Sequence, residues 1–182
     1  MKIFIVRHGE TDSNKNKKLM GQRMNDPLNA EGIEQIKKLS EEIDTDFDVI
    51  FTSPLVRAKQ SAQILAAKIG APVVEKQEIM ERDFGDFSGK TWDEMIKKLG
   101  EAASDLKKED FEQNYDYRPY GGECAADVKG RFLKFVEELK KDYADKKVLI
   151  VAHGGILKLA HFLFSEIRVE HVQNAAICEF DI

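Results

Sequence analysis

Short β-branched runs alternate with helical patterns along most of this chain, and that alternation restricts its fold more than any other feature. Runs that read as strands fall at Ile3 to Val6, Val49 to Phe51, Val73 to Val74, Val148 to Val151 and Ile177 to Phe180. Between them, Ala30 to Ile43 places Ile33, Ile36, Leu39 and Ile43 at helical spacing. Val128 to Tyr143 carries Val128, Phe132, Phe135, Val136 and Leu139 on one face, and Ile156 to Phe164 is strongly apolar. Leu55 to Ile69 follows Pro54 and ends at Gly70 with Pro72 beyond, the order in which proline opens a helix and glycine closes it. Strands alternating with helices pair in parallel. The pattern predicts an α/β three-layer sandwich, with a mostly parallel central sheet and helices on both faces. Residues 80–122 break the rhythm, being charged and rich in aromatics such as Phe84, Phe87, Trp92 and Tyr120. They are expected to form a small cap-like insertion over the C-terminal edge of the sheet. With no repeat or linker, residues 1–182 read as a single domain.

Composition narrows what such a domain can bind. A net charge of −5 argues against nucleic acid or an anionic membrane as partner, so an anionic substrate needs a local cationic pocket. No stretch approaches a membrane span, and only four apolar residues separate Lys2 from Arg7, too few for a signal peptide. The two cysteines, Cys124 and Cys178, give neither a disulfide framework nor a metal-ligand spacing, and a reducing, cytoplasmic setting is expected.

Three strands that read as central each run into a polar or cationic element. Ile3 to Val6 opens into Arg7-His8-Gly9, Val49 to Phe51 into Thr52-Ser53-Pro54-Leu55-Val56-Arg57, and Val148 to Val151 into Ala152-His153-Gly154-Gly155. In a parallel sheet these carboxyl ends share one edge, where such folds hold ligands. A neutral imidazole is a nucleophile and a guanidinium is a fixed anion clamp. Arg57 falls on the first turn of its helix, near the positive end of the dipole. A pocket of two arginines and two histidines binds phosphate, and needs a proton donor to do more. Glu81, just past Val73 to Val74, is the candidate. His161 and His171 are read as structural.

These pieces lie in an order that resembles the histidine phosphatase superfamily, the phosphoglycerate-mutase-like proteins, almost end to end. The resemblance rests on Arg7-His8-Gly9-Glu10-Thr11 with Asn14, Gly21-Gln22 with Asp26-Pro27-Leu28, and Gly32 with Gln35. It continues through Ser53-Pro54-Leu55 with Arg57-Ala58 and Gln60, then Glu81 with Phe84-Gly85 and Gly89. Gly121-Gly122-Glu123 and Val151-Ala152-His153-Gly154-Gly155 complete it. The resemblance implies that His8 accepts the phosphoryl group as a phosphohistidine, and that Arg7, Arg57 and His153 hold its oxygens, with Gly154 beside them. It implies that Glu81 protonates the leaving alcohol and then activates water. Asn14 and Gln22 resemble supporting phosphate contacts. The scheme calls for no metal and no cofactor, since the arginines carry the charge work.

The chain departs from the family pattern where substrates are chosen. Cys124 follows Gly-Gly-Glu in place of serine, Phe87-Ser88 replaces a tryptophan-glutamate pair, and Asn29 replaces a threonine. Gly85 to Thr91 invites a nucleotide P-loop but is one residue short, and the arginine that a cysteine phosphatase needs after Cys124 comes one position late, at Arg131. The reading that follows is a phosphatase acting on a small phosphorylated metabolite. A cofactor-dependent phosphoglycerate mutase is the nearest alternative, disfavoured by the short, acidic segment between Arg82 and Tyr120. A non-catalytic phosphate-binding module is the other, and it needs neither His8 nor Glu81. The aromatic and acidic residues of 80–122 suggest a neutral or apolar leaving group.

Overall fold

The computed structural model describes residues 1–43 and 46–182. Five strands form one sheet: β1 (Lys2–Arg7), β2 (Val49–Thr52), β3 (Val73–Glu75), β4 (Val148–Ala152) and β5 (Ile177–Asp181), in the order β3-β2-β4-β1-β5. The first four run parallel, and β5 pairs antiparallel with β1 at the edge. β2, β4 and β1 are therefore central. Every residue of β2 and β4 is buried, as expected of strands covered on both faces.

Side chains alternate between the two faces and find different helices on each. Val6, Ile50, Leu149 and Val151 face α2 (Ala30–Glu42) and α3 (Val56–Ile69), whose Ile36, Leu39, Ala58 and Leu65 complete that core. Ile3, Ile5, Phe51 and Ile150 face the other way, toward α6 (Ala125–Asp142) and α7 (Gly154–Phe164). There Phe51 meets Phe135 edge-to-face at 5.2 Å between ring centroids, and truncating an aromatic so buried costs about 3–5 kcal/mol. The helices on both faces make the predicted three-layer sandwich.

The predicted elements match in kind, and their ends shift for local reasons. Leu55, read as helical, caps α3 in extended conformation, and Gly70 closes it at φ 79°. α6 starts three residues earlier than its apolar pattern, because the Asp127 carboxylate accepts from the Cys124 N–H and stabilises the first turn. Asn29 opens α2 by accepting from the Gly32 N–H at 2.8 Å.

Two helices lie where the sequence shows only broken rhythm: α4 (Trp92–Leu99) and α5 (Glu101–Phe111). α4 opens on a reciprocal capping pair between Thr91 and Glu94. A short α1 (Asp12–Lys15) follows β1. Phe84, Phe87, Tyr115 and Tyr117 from the same region pack with α6 and α7 in the larger core. No helix among the described residues is long and apolar enough to cross a membrane.

Candidate active site

β1 and β4 lie side by side with Arg7 opposite Ala152, so the residues that follow them leave the sheet together. The His8 N–H donates to the Ala152 carbonyl at 3.1 Å. This sets the His8 ring 5.2 Å from the His153 ring, tilted by 60°. β2, the neighbour of β4 on its other side, delivers Arg57 through the first turn of α3. Glycine permits this convergence: a Cβ on Gly9 would fall 2.3 Å from the Gly32 carbonyl oxygen.

The hydrogen bonds select one form of His8. Nδ1 lies 2.7 Å from the Gly9 carbonyl oxygen, which can only accept, so Nδ1 carries the proton and Nε2 is unprotonated and bears the lone pair. Arg57 Nε donates to that Nε2 at 3.3 Å. The same guanidinium donates to the carbonyls of Met24 and Gly21, each at 2.8 Å, and is locked in place. Arg7 Nη1 donates to the Val172 carbonyl. Arg7 Nε and both ring nitrogens of His153 have no partner among the described residues. Of these, the Arg7 N–H is a buried donor left open, and such a donor suits an anion oxygen.

Of the residues that the sequence points to, Arg7, His8, Asn14, Arg57, Glu81 and Gly154 line one cavity of about 150 Å³. His153 is fully buried against the His8 ring and does not line it. Gln22 is directed elsewhere: its amide donates to the Glu81 carbonyl at 2.8 Å and to the Glu123 carboxylate at 3.0 Å. Arg131 donates to the Glu78, Met80 and Glu81 carbonyls and pairs with Glu123. Gln22, Glu123 and Arg131 thus fix the loop that carries Glu81.

Burial, reinforced by Arg57, lowers the pKa of both His8 and His153 well below the ordinary histidine value, and both are neutral. Burial brings Arg57 down to about 10, which leaves it cationic. Glu81 is pushed up by burial, but Arg82, two backbone N–H groups and Arg57 together outweigh this and hold it below the usual carboxylate range. Those N–H groups belong to Gly155, at 3.0 Å, and Arg82, at 2.9 Å. A Cβ at position 155 would meet Glu81 Oε1 at 2.1 Å, so glycine there lets the carboxylate dock on the start of α7.

The buried neutral histidines make stability depend on pH with a definite sign. Below about 6.5 the unfolded chain binds protons that the folded chain refuses, so stability falls as pH falls, until the depressed folded-state values are reached. Each histidine accounts for about 1.4 kcal/mol per pH unit in that window. Thermal melts from pH 7 to 5 are expected to fall steadily, and more shallowly in His153→Asn. An equally steep fall in that variant would contradict the assignment.

The structure adds residues that the sequence reading passed over. Arg82 lines the cavity, stacks over Phe84 and Tyr115, and pairs with Asp110 of α5 at 3.0 Å in a buried setting. Tyr117 donates to the same Asp110 carboxylate at 2.7 Å. Asp110→Asn keeps the size of the side chain but leaves Arg82 without its counter-charge. We expect a loss of about 3 kcal/mol or more, a fall in Tm of roughly 6–12 °C. A loss under about 1 kcal/mol in urea unfolding would show that water already relieves the pair. His171, read as structural, lines the cavity with Lys158, and Lys18 borders it. His161 packs edge-to-face on Phe180, as a structural histidine does. Asn174 donates to the His8 carbonyl at 3.0 Å and steadies the His8 backbone.

The model of the histidine phosphatase superfamily (branch 1) matches residues 3–182. The chain belongs to the histidine phosphatase superfamily. This histidine phosphatase is 35% identical over 167 residues to the uncharacterized phosphatase PhoE of Bacillus subtilis (strain 168), covering 91% of this chain and 76% of that one. It is 31% identical over 178 residues to a 2,3-bisphosphoglycerate-dependent phosphoglycerate mutase of Rhizobium rhizogenes, covering 93% and 82%. Mycobacterial glucosyl-3-phosphoglycerate phosphatase, solved in complex with VO3, matches it with a TM-score of 0.85 at 25% identity over 98% of this chain and 90% of that one. The alpha-ribazole phosphatase from Shigella flexneri gives 0.81 at 26% identity, covering 100% and 91%. With phosphatases among both relatives and structural neighbours, this member of the superfamily is a phosphatase-type enzyme.

Proposed function

We propose that this chain is a metal-independent phosphatase that hydrolyses a small phosphorylated metabolite through a phosphohistidine on His8. One observation carries the reading: a neutral imidazole with an unprotonated Nε2, held by Arg57, and a buried carboxylate line the same cationic cavity. Binding phosphate alone requires neither.

In the first step Nε2 attacks phosphorus in line, the bond to the leaving oxygen breaks, and Glu81 gives that oxygen a proton. Arg7 and Arg57 oppose the charge that builds on the transferring oxygens, in a site already arranged for it. The incoming dianion supplies the proton logic. Its charge beside Glu81 disfavours the carboxylate, so the group that is ionised in the empty site takes up a proton with substrate. In the second step Glu81 removes a proton from water, whose oxygen attacks phosphorus. The phosphorus–nitrogen bond breaks and His8 returns to its neutral form.

Mutase chemistry is the second reading, favoured by the 31% identity to a phosphoglycerate mutase. It uses the same residues and returns the phosphoryl group to substrate instead of water. Phosphate release from a panel of phosphorylated metabolites, in the presence of a chelator, separates the two. Free phosphate from one or more compounds is the expected result. Conversion of 3- to 2-phosphoglycerate only with 2,3-bisphosphoglycerate added, without free phosphate, would overturn it. Activity lost to the chelator and restored by magnesium or zinc would overturn the metal-free scheme.

A further inference from the structure

A second, larger cavity of about 510 Å³ adjoins the first. Only Lys158 and His171 line both, so they mark the junction between them. Lys158 stands one helical turn beyond Gly154 on α7 and therefore on the same face as the phosphate cavity. It is half-buried and makes no ion pair or hydrogen bond among the described residues. Arg82 and Arg7 add like charge nearby, and Asp110 and Glu81 offset it only from a distance. An ammonium held this way lacks a directly bonded counter-charge, which water replaces only in part. Lys17 and Lys107 line the outer cavity as well. Of its two carboxylates, Asp110 is already bonded to Arg82 and Tyr117, which leaves Glu170 as the carboxylate not so engaged against the three lysines. The sequence suggested a neutral or apolar leaving group, because it showed the acidic residues of 80–122 without showing which of them face away.

We propose that Lys158 is a specificity-determining residue that selects phosphomonoesters whose alcohol carries a second anionic group, a carboxylate or a phosphate. The inference rests on reading the inner cavity as the phosphate subsite. A substrate seated there by its phosphoryl group passes its leaving group between Lys158 and His171, where the second anion meets the unpaired ammonium. Lys17 and Lys107 extend the same field outward.

The test uses ligands that cannot be hydrolysed, so that its failure is separate from failure of the phosphatase reading. Binding of alkylphosphonates bearing a terminal methyl, carboxylate or second phosphonate, over chain lengths of one to four methylenes, is measured by calorimetry. At one chain length at least, an anionic terminus is expected to bind about tenfold tighter than methyl or more. Lys158→Met is expected to bring that ratio below about threefold, and Lys158→Arg to keep it. Lys158→Gln serves the same purpose if the methionine variant fails to fold, and vanadate binding reports that the inner subsite is intact. The carboxylate and phosphonate series distinguish the two anions. Equal binding of all termini, or a preference that survives loss of the lysine charge, would overturn the proposal.

Discussion

Replacing His8 by alanine lowers kcat by on the order of 10⁴- to 10⁶-fold, the scale on which covalent enzymes lose activity without their nucleophile. The size follows from the geometry. Among the described residues that line the inner cavity, His8 is the one neutral imidazole clamped on both sides, by the Gly9 carbonyl and by Arg57. Water placed in the emptied space lacks that fixed lone pair. Arg7 and Arg57 remain on the cavity, so inorganic phosphate is expected to bind within about threefold of wild type. Steady-state kinetics beside calorimetry of phosphate binding reads both effects. Turnover within about tenfold of wild type would exclude the covalent route.

Glu81→Gln divides substrates by their leaving groups. An alkyl phosphate, whose alkoxide departs only with a proton, is expected to lose about 10²- to 10⁴-fold in kcat. p-Nitrophenyl phosphate, whose phenolate leaves unaided, is expected to lose roughly tenfold or less in formation of the phosphoenzyme. The Gly155 and Arg82 N–H groups donate to different carboxylate oxygens, so glutamine keeps one of these contacts through its amide oxygen. Gln22 and Arg131 still hold the Glu81 carbonyl and keep the loop in place. Glu81 lies ionised in the empty site, so its proton enters with substrate. For alkyl phosphates, kcat/KM in the wild-type enzyme should therefore fall as pH rises past the second phosphate ionisation near 6. Equal losses for both leaving groups would remove Glu81 from the acid role.

The sheet and its helices are legible in the sequence because each depends on local pattern. Ile3 to Val6 and Val148 to Val151 are apolar runs of strand length, and Ile36 with Leu39 repeats at helical spacing. The meeting of Arg7, His8 and Arg57 is legible too, since parallel strands leave their ends on one edge. What stays hidden depends on contacts between distant residues. Arg82 and Asp110 are 28 positions apart, and only the packing of α5 over the site joins them. Gln22 reads as a phosphate contact by motif, whereas its amide spans the Glu81 carbonyl and Glu123. Lys158 sits in a helix whose apolar character hides one cation, and whether that cation is paired is a property of the fold. α4 could have been found from the Thr91 and Glu94 spacing, but its eight residues are too few for a clear period.

The central claim is a phosphoryl group carried on His8, and rapid quenching with substrate labelled in its phosphate tests it most directly. The account predicts a protein-bound label that is stable in base, lost in acid, and confined to the peptide containing His8. It should form within one turnover and be absent from His8→Ala. Label on any other residue, or full turnover with no labelled protein at the shortest times, would contradict it.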